Sequence, residues 1–122
     1  MVDEAIVRAA QNYLHQVRTN GIDARFGVLY GSQVTGTPYE WSDIDLVVVS
    51  PRFDGARQRK DIDLLWEIAA LTDSRIEPIA CGEKQWLEDD SSAIIEIARQ
   101  EGVRIDVAAE KFVAEFEHAR KK

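Results

Sequence analysis

Residues 43–50 read Asp43-Ile44-Asp45-Leu46-Val47-Val48-Val49-Ser50, two acidic positions opening onto a run of branched apolar residues. Apolar residues at successive positions would bury both faces of an extended segment, which is the pattern of a central strand and not of an edge. Residues i and i+2 of a strand share a face, so Asp43 and Asp45 project together, roughly 6.6 Å apart at about 3.3 Å per residue, while Ile44 turns into the core. Two carboxylates held this close at the mouth of an apolar strand repel each other and lose hydration unless a cation lies between them. Magnesium suits such a pair, because it takes carboxylate oxygens and completes its shell with water and phosphate oxygens.

Upstream, Phe26, Val28 and Tyr30 alternate with Gly27 and Leu29 in a buried strand that breaks at Gly31-Ser32. Free backbone N–H groups at such a break can face an anion, glycine lets a phosphate approach closely, and Ser32 adds a hydroxyl donor. Ten residues, 33–42, separate Ser32 from Asp43. A Gly-Ser turn or an Asp-x-Asp alone would carry little; a phosphate cradle followed by paired carboxylates on a central strand points to a phosphate group and its metal.

The flanking sequence alternates between helical and strand periods. Apolar positions at Ile6, Ala10, Tyr13 or Leu14, and Val17 predict a helix from Asp3 to Asn20 that Gly21 stops. Pro51 ends the central strand, Asp54-Gly55 marks a turn, and Ile62, Leu65, Trp66 and Ala69, widened by Leu64 and Ile68, predict a helix over 57–71 with Trp66 in the core. Arg75 to Cys81 reads as a third strand. Ser91 or Ser92 caps a helix bearing Ile94, Ile95, Ile97 and Ala98, and Gly102 is expected to end it in a left-handed conformation. Val103, Ile105 and Val107 alternate as a fourth strand, and Ala109, Phe112, Val113, Phe116 and Ala119 form the apolar stripe of a last helix, with Phe112 and Phe116 in the core. The fold expected is therefore α/β (α+β), a mixed sheet of about four strands flanked by helices.

The 122 residues, 45% hydrophobic and 30% charged, suit one domain spanning 1–122. A formal net charge of -7 argues against a generic grip on nucleic-acid phosphates and against anionic membranes, and leaves a basic protein as the complementary partner. Cys81 is the single cysteine, so no internal disulfide can form, and it reads as a small buried hydrophobe. The acidic start and the absence of a long apolar run predict a cytoplasmic protein with no signal peptide or membrane span. His15 and His118 lie far from other ligand-type residues and read as surface positions; Trp41 reads as a packed loop aromatic.

Gly31-Ser32, Gly36-Thr37 and Trp41-Ser42-Asp43-Ile44-Asp45-Leu46-Val47-Val48 closely resemble the signature of the minimal nucleotidyltransferases, a branch of the DNA polymerase β-like superfamily. The likeness extends through residues 50–55, 61–65, Arg75-Ile76-Glu77-Pro78 and 97–105. It implies a nucleoside triphosphate, most simply ATP, held by Gly31, Ser32 and Ser42, with Mg2+ on Asp43, Asp45 and Glu77, the third carboxylate coming from a neighbouring strand. Two ions about 3.5 to 4 Å apart would then clamp the attacking and leaving oxygens. Gln33 and Thr35 depart from the pattern, since relatives often carry an aromatic or basic residue and a Lys or Arg there; Arg52, Arg57, Arg59 or Lys60 could supply the missing countercharge.

The resemblance further implies an antitoxin that transfers AMP to a HEPN-domain toxin. A catalytically weak antitoxin that neutralises by complex formation is one alternative, its C-terminal amphipathic helix a candidate docking element. Nucleotidyl transfer to a small molecule or a tRNA end is another. Oligomeric state is left open, a homo-oligomer included.

Overall fold

The computed structural model describes residues 2–31, 34, 43–88 and 92–107. The chain opens with α1 (Glu4–Thr19), whose N-cap Asp3 accepts a hydrogen bond from the Ala5 N–H at 2.8 Å. Its stripe of Ile6, Ala10, Tyr13, Leu14 and Val17 is buried, as the periodicity requires. Gly21, at φ 96°, supplies the left-handed turn that releases the chain toward the sheet.

β1 (Phe26–Tyr30) and β2 (Ile44–Ser50) pair antiparallel. A short 3-10 turn, Pro51–Phe53, leads to α2 (Arg59–Thr72), and β3 (Ile76–Gly82) lies parallel to β2. Two helices, α3 (Glu83–Glu88) and α4 (Ala93–Glu101), precede β4 (Val103–Asp106), which pairs antiparallel with β1. The sheet has four strands in the order β3-β2-β1-β4, the mixed sheet expected, with β2 inside it.

Alternation along the strands feeds two cores. Ile44, Leu46 and Val48 of β2 pack with α1 and α2 side chains such as Leu14, Leu65 and Ile68, while Val47 and Val49 join Phe26, Val28, Cys81, Ile95 and Ala98 on the opposite face. Cys81 is buried as a hydrophobe. The Tyr13 hydroxyl, buried between the helices, donates to the Leu65 carbonyl at 2.8 Å and fixes α1 against α2.

Three expectations need correction. Trp66 is 47% exposed: α2 buries Asp61, Leu65, Ile68 and Ala69, a stripe rotated away from Trp66 because Asp61 turns inward to meet Arg52. Gly102 ends α4 in an extended conformation, φ -77° and ψ 164°; glycine is needed there because a Cβ would strike the Ala98 and Leu29 carbonyls and the Val28 side chain. His15 is half-buried, not a surface residue.

Helix α3 has no counterpart in the sequence expectation, since its start is fixed from afar: the Asp54 carboxylate accepts from the Lys84 N–H at 3.0 Å. Ser92 caps α4 through a 3.4 Å bond from the Ile95 N–H. The expected C-terminal helix with Phe112, Phe116 and His118, together with Ser91 and Trp41, lies outside the described residues.

Candidate active site

Strand register decides which side chains meet. On the face bearing Val47, the ladders align three rows across β1, β2 and β3: Phe26, Val49 and Cys81; Val28, Val47 and Ile79; Tyr30, Asp45 and Glu77. The first two rows are apolar and packed beneath α4; the third, at the end of β1 and the starts of β2 and β3, is polar. Cα atoms in neighbouring strands lie about 4.8 Å apart, so Asp45 and Glu77 stand side by side.

Asp43 immediately precedes β2 and is exposed, whereas Asp45 and Glu77 are half-buried. The start of β2 is anchored by the Ile44 N–H donating to the Arg75 carbonyl at 2.8 Å, which sets Asp43 and Asp45 against the start of β3. The Asp43 side chain lies close enough to Glu77 to interact with it directly. Burial, that interaction and the charges of Asp43 and Asp45 raise the Glu77 carboxyl above its ordinary value. Burial and Asp43 raise Asp45 likewise.

Gly31 closes the site from the β1 side. Its φ of 78° lies in the left-handed region, and the place a Cβ would take is filled by Asp45 Oδ2. Position 31 therefore requires glycine twice over, for its backbone angle and for the carboxylate against it.

Four of the sequence-predicted site residues, Gly31, Asp43, Asp45 and Glu77, are thus brought together; Ser32 and Ser42 lie outside the described residues, as do Gln33 and Thr35. Of the basic candidates, Arg52 is committed to Asp61 through two 3.0 Å hydrogen bonds. Arg57 bonds Gln85 and Arg59 lies 3.8 Å from Asp63. Tyr30 was not singled out from the sequence. Its alternation with Phe26 and Val28 marked it as one more apolar-face position, and only pairing with β2 places it beside Asp45.

Among the described residues no three His, Cys, Asp or Glu side chains form a ready-made metal cage. The chemistry of the donor set nevertheless fits a hard divalent cation: three carboxyl groups converge, the charges of their neighbours raise Asp45 and Glu77, and a cation would relieve that repulsion. A concavity of about 450 Å3 lies elsewhere, between the C-terminal ends of α1 and α2 and lined by Leu64, Ile68 and Leu71, with none of these carboxylates in its wall.

A four-stranded mixed sheet with an Asp-x-Asp entering its interior strand and a third carboxylate on the parallel neighbour is the architecture of a nucleotidyltransferase. Residues 16–121 match the sequence profile of the nucleotidyltransferase domain, and the chain belongs to that family. Comparison with curated proteins gives no match.

Among solved structures, a toxin–antitoxin with AMP-PNP superposes with a TM-score of 0.55 at 19% identity, over 91% of this chain and 90% of that one. A double aspartate-to-glutamate mutant of the toxin–antitoxin MntA-HpeT gives 0.54 at 18% identity, over 91% and 90%. An inferred nucleotidyltransferase from Sulfolobus solfataricus gives 0.51 at 16% identity, over 66% of this chain and 70% of that one. At such identities the likeness is one of fold. No helix among the described residues is long and apolar enough to cross a membrane.

Proposed function

We propose that the chain is the antitoxin of a toxin–antitoxin pair and transfers AMP from ATP, with Mg2+, to a hydroxyl of a HEPN-domain partner. The observation that carries this reading is the register pairing of Asp45 with Glu77, with Asp43 close beside them. Two of the structures sharing this fold are toxin–antitoxins, one with AMP-PNP, and the other carries substitutions at two aspartates spaced two positions apart, as Asp43 and Asp45 are. The net charge of -7 suits a basic partner.

In this reading Asp43, Asp45 and Glu77 hold the metal, and Gly31, Ser32 and Ser42 bind the nucleotide. When bound, Mg2+ supplies charge neutralisation at the phosphates. The acceptor oxygen attacks the α-phosphorus in line, the bond from that phosphorus to the bridging oxygen breaks, and pyrophosphate leaves. Glu77, beside the two aspartates, is placed to take the hydroxyl proton. Incubation with α-labelled ATP and candidate acceptors tests this: label on the partner protein supports it, and label on RNA or a small molecule alone overturns it.

A second reading is favoured by the commitment of Arg52 to Asp61, which removes one substitute countercharge for the triphosphate. In it, catalysis is feeble and neutralisation comes from complex formation. A D43N/D45N double variant that still neutralises the toxin fully would decide for this second reading.

A further inference from the structure

Tyr30 completes the acidic row on the side of Asp45 away from Glu77. The antiparallel ladder sets Tyr30 opposite Asp45, as the parallel ladder sets Glu77 opposite Asp45. Side chains in direct register point to one face, so a phenol and two carboxylates stand in line across three strands.

The groups around Asp45 differ in what they offer. Asp43 and Glu77 repel it, and its Oδ2 fills the space that a Cβ on Gly31 would take. Tyr30 brings a neutral side chain ending in a hydrogen-bond donor. The ring packs against the apolar cluster of Phe26, Val28, Val47 and Val49, which restricts the two torsions that place the hydroxyl. A tyrosine phenol keeps its proton through the physiological range, so it can serve as a donor there.

We propose that Tyr30 is a positioning residue of this site, its hydroxyl turning to donate a hydrogen bond into the carboxylate row when a divalent cation is bound there, and so holding Asp45 in the orientation the cation requires. The inference rests on the metal-dependent transferase reading above. Groups that orient metal-bound carboxylates in this way change metal affinity by about 10–100-fold when removed.

Y30F deletes one oxygen and keeps the ring. The test is a titration of the full chain with Mn2+ in the presence of AMP-PNP, followed by electron paramagnetic resonance, beside a urea unfolding curve for each protein. The expected result is an Mn2+ affinity at least about tenfold weaker in Y30F with an unchanged unfolding midpoint. Equal affinity in the two proteins overturns the inference alone. A loss of affinity matched by a loss of folding stability assigns Tyr30 to packing and also overturns it. A wild-type chain that binds no Mn2+ overturns the metal-dependent reading and this inference together.

Discussion

Asp45 stands directly across from Glu77 in the parallel ladder between β2 and β3, so two carboxylates distant in sequence share one face of the sheet at its polar end. Asp43 lies close enough to the same pair to act on both carboxyl groups. Folding concentrates negative charge there, and the behaviour expected of the protein follows from that concentration.

Asn in place of Asp45 should remove transfer without harming the fold. Nucleotidyl transfer is expected to fall by roughly 10²–10³-fold, the scale of losing one strong electrostatic group from an active site. The thermal midpoint of D45N should equal or exceed that of wild type, because the lost carboxylate was one its surroundings disfavoured. A radiolabel transfer assay beside a melting curve checks both.

The pH dependence has a definite sign. Asp45 and Glu77 carry folded-state values raised above their ordinary ones, so they favour the folded form fully below the ordinary carboxylate range, and that contribution is lost as pH rises through the raised values. Asp73, lowered mainly by its hydrogen bond to Arg75, works in the opposite direction, which makes the difference between wild type and D45N the informative quantity. In EDTA, wild type should gain stability relative to D45N as pH falls from 7 to 4, measured by urea midpoints.

Mg2+ should stabilise the wild-type chain at neutral pH. At a free concentration one hundred times the dissociation constant, binding to the folded form alone contributes about 2.7 kcal/mol. Chelation should reverse the shift, and D43N/D45N should show none; scanning calorimetry reads each.

Arg52 and Asp61 form a structural pair outside the site. The Asp61 side chain is 5% exposed and that of Arg52 43%, so R52A strands a buried carboxylate while itself losing a partly solvated group. Stability should drop by about 2–3 kcal/mol, below the range for breaking a fully buried pair, with ATP affinity unchanged. Urea unfolding and nucleotide titration separate the two effects.

G31A should damage stability and activity together. A non-glycine residue at φ 78° costs of order 1–2 kcal/mol, and the new methyl group displaces the Asp45 carboxylate. Unfolding curves and the transfer assay should both register the change; a variant with wild-type activity would contradict the close approach of Gly31 to Asp45.

The local parts of this structure were readable in the chain. Helix α1 follows from Asp3, a helical stripe and Gly21; β2 follows from Leu46 through Val49; the sheet of four strands and the acidic pair Asp43 and Asp45 follow from the same short-range periods. What escaped was placed by contacts distant in sequence. Helix α3 starts on the carboxylate of Asp54, Trp66 turns outward because Asp61 turns inward to Arg52, and Gly102 serves close packing on β1 instead of a left-handed cap.

The sequence by itself determined the elements and the chemistry near Asp45, because periodicity and the i, i+2 geometry of a strand are local properties. The family resemblance already implied Glu77 near that aspartate; only the tertiary structure decided its register with Asp45, that Tyr30 flanks the other side, and that Arg52 is spent on Asp61. The reason is that register between strands is set by the fit of two packed cores, and a shift of one residue would have turned every one of those side chains to the opposite face.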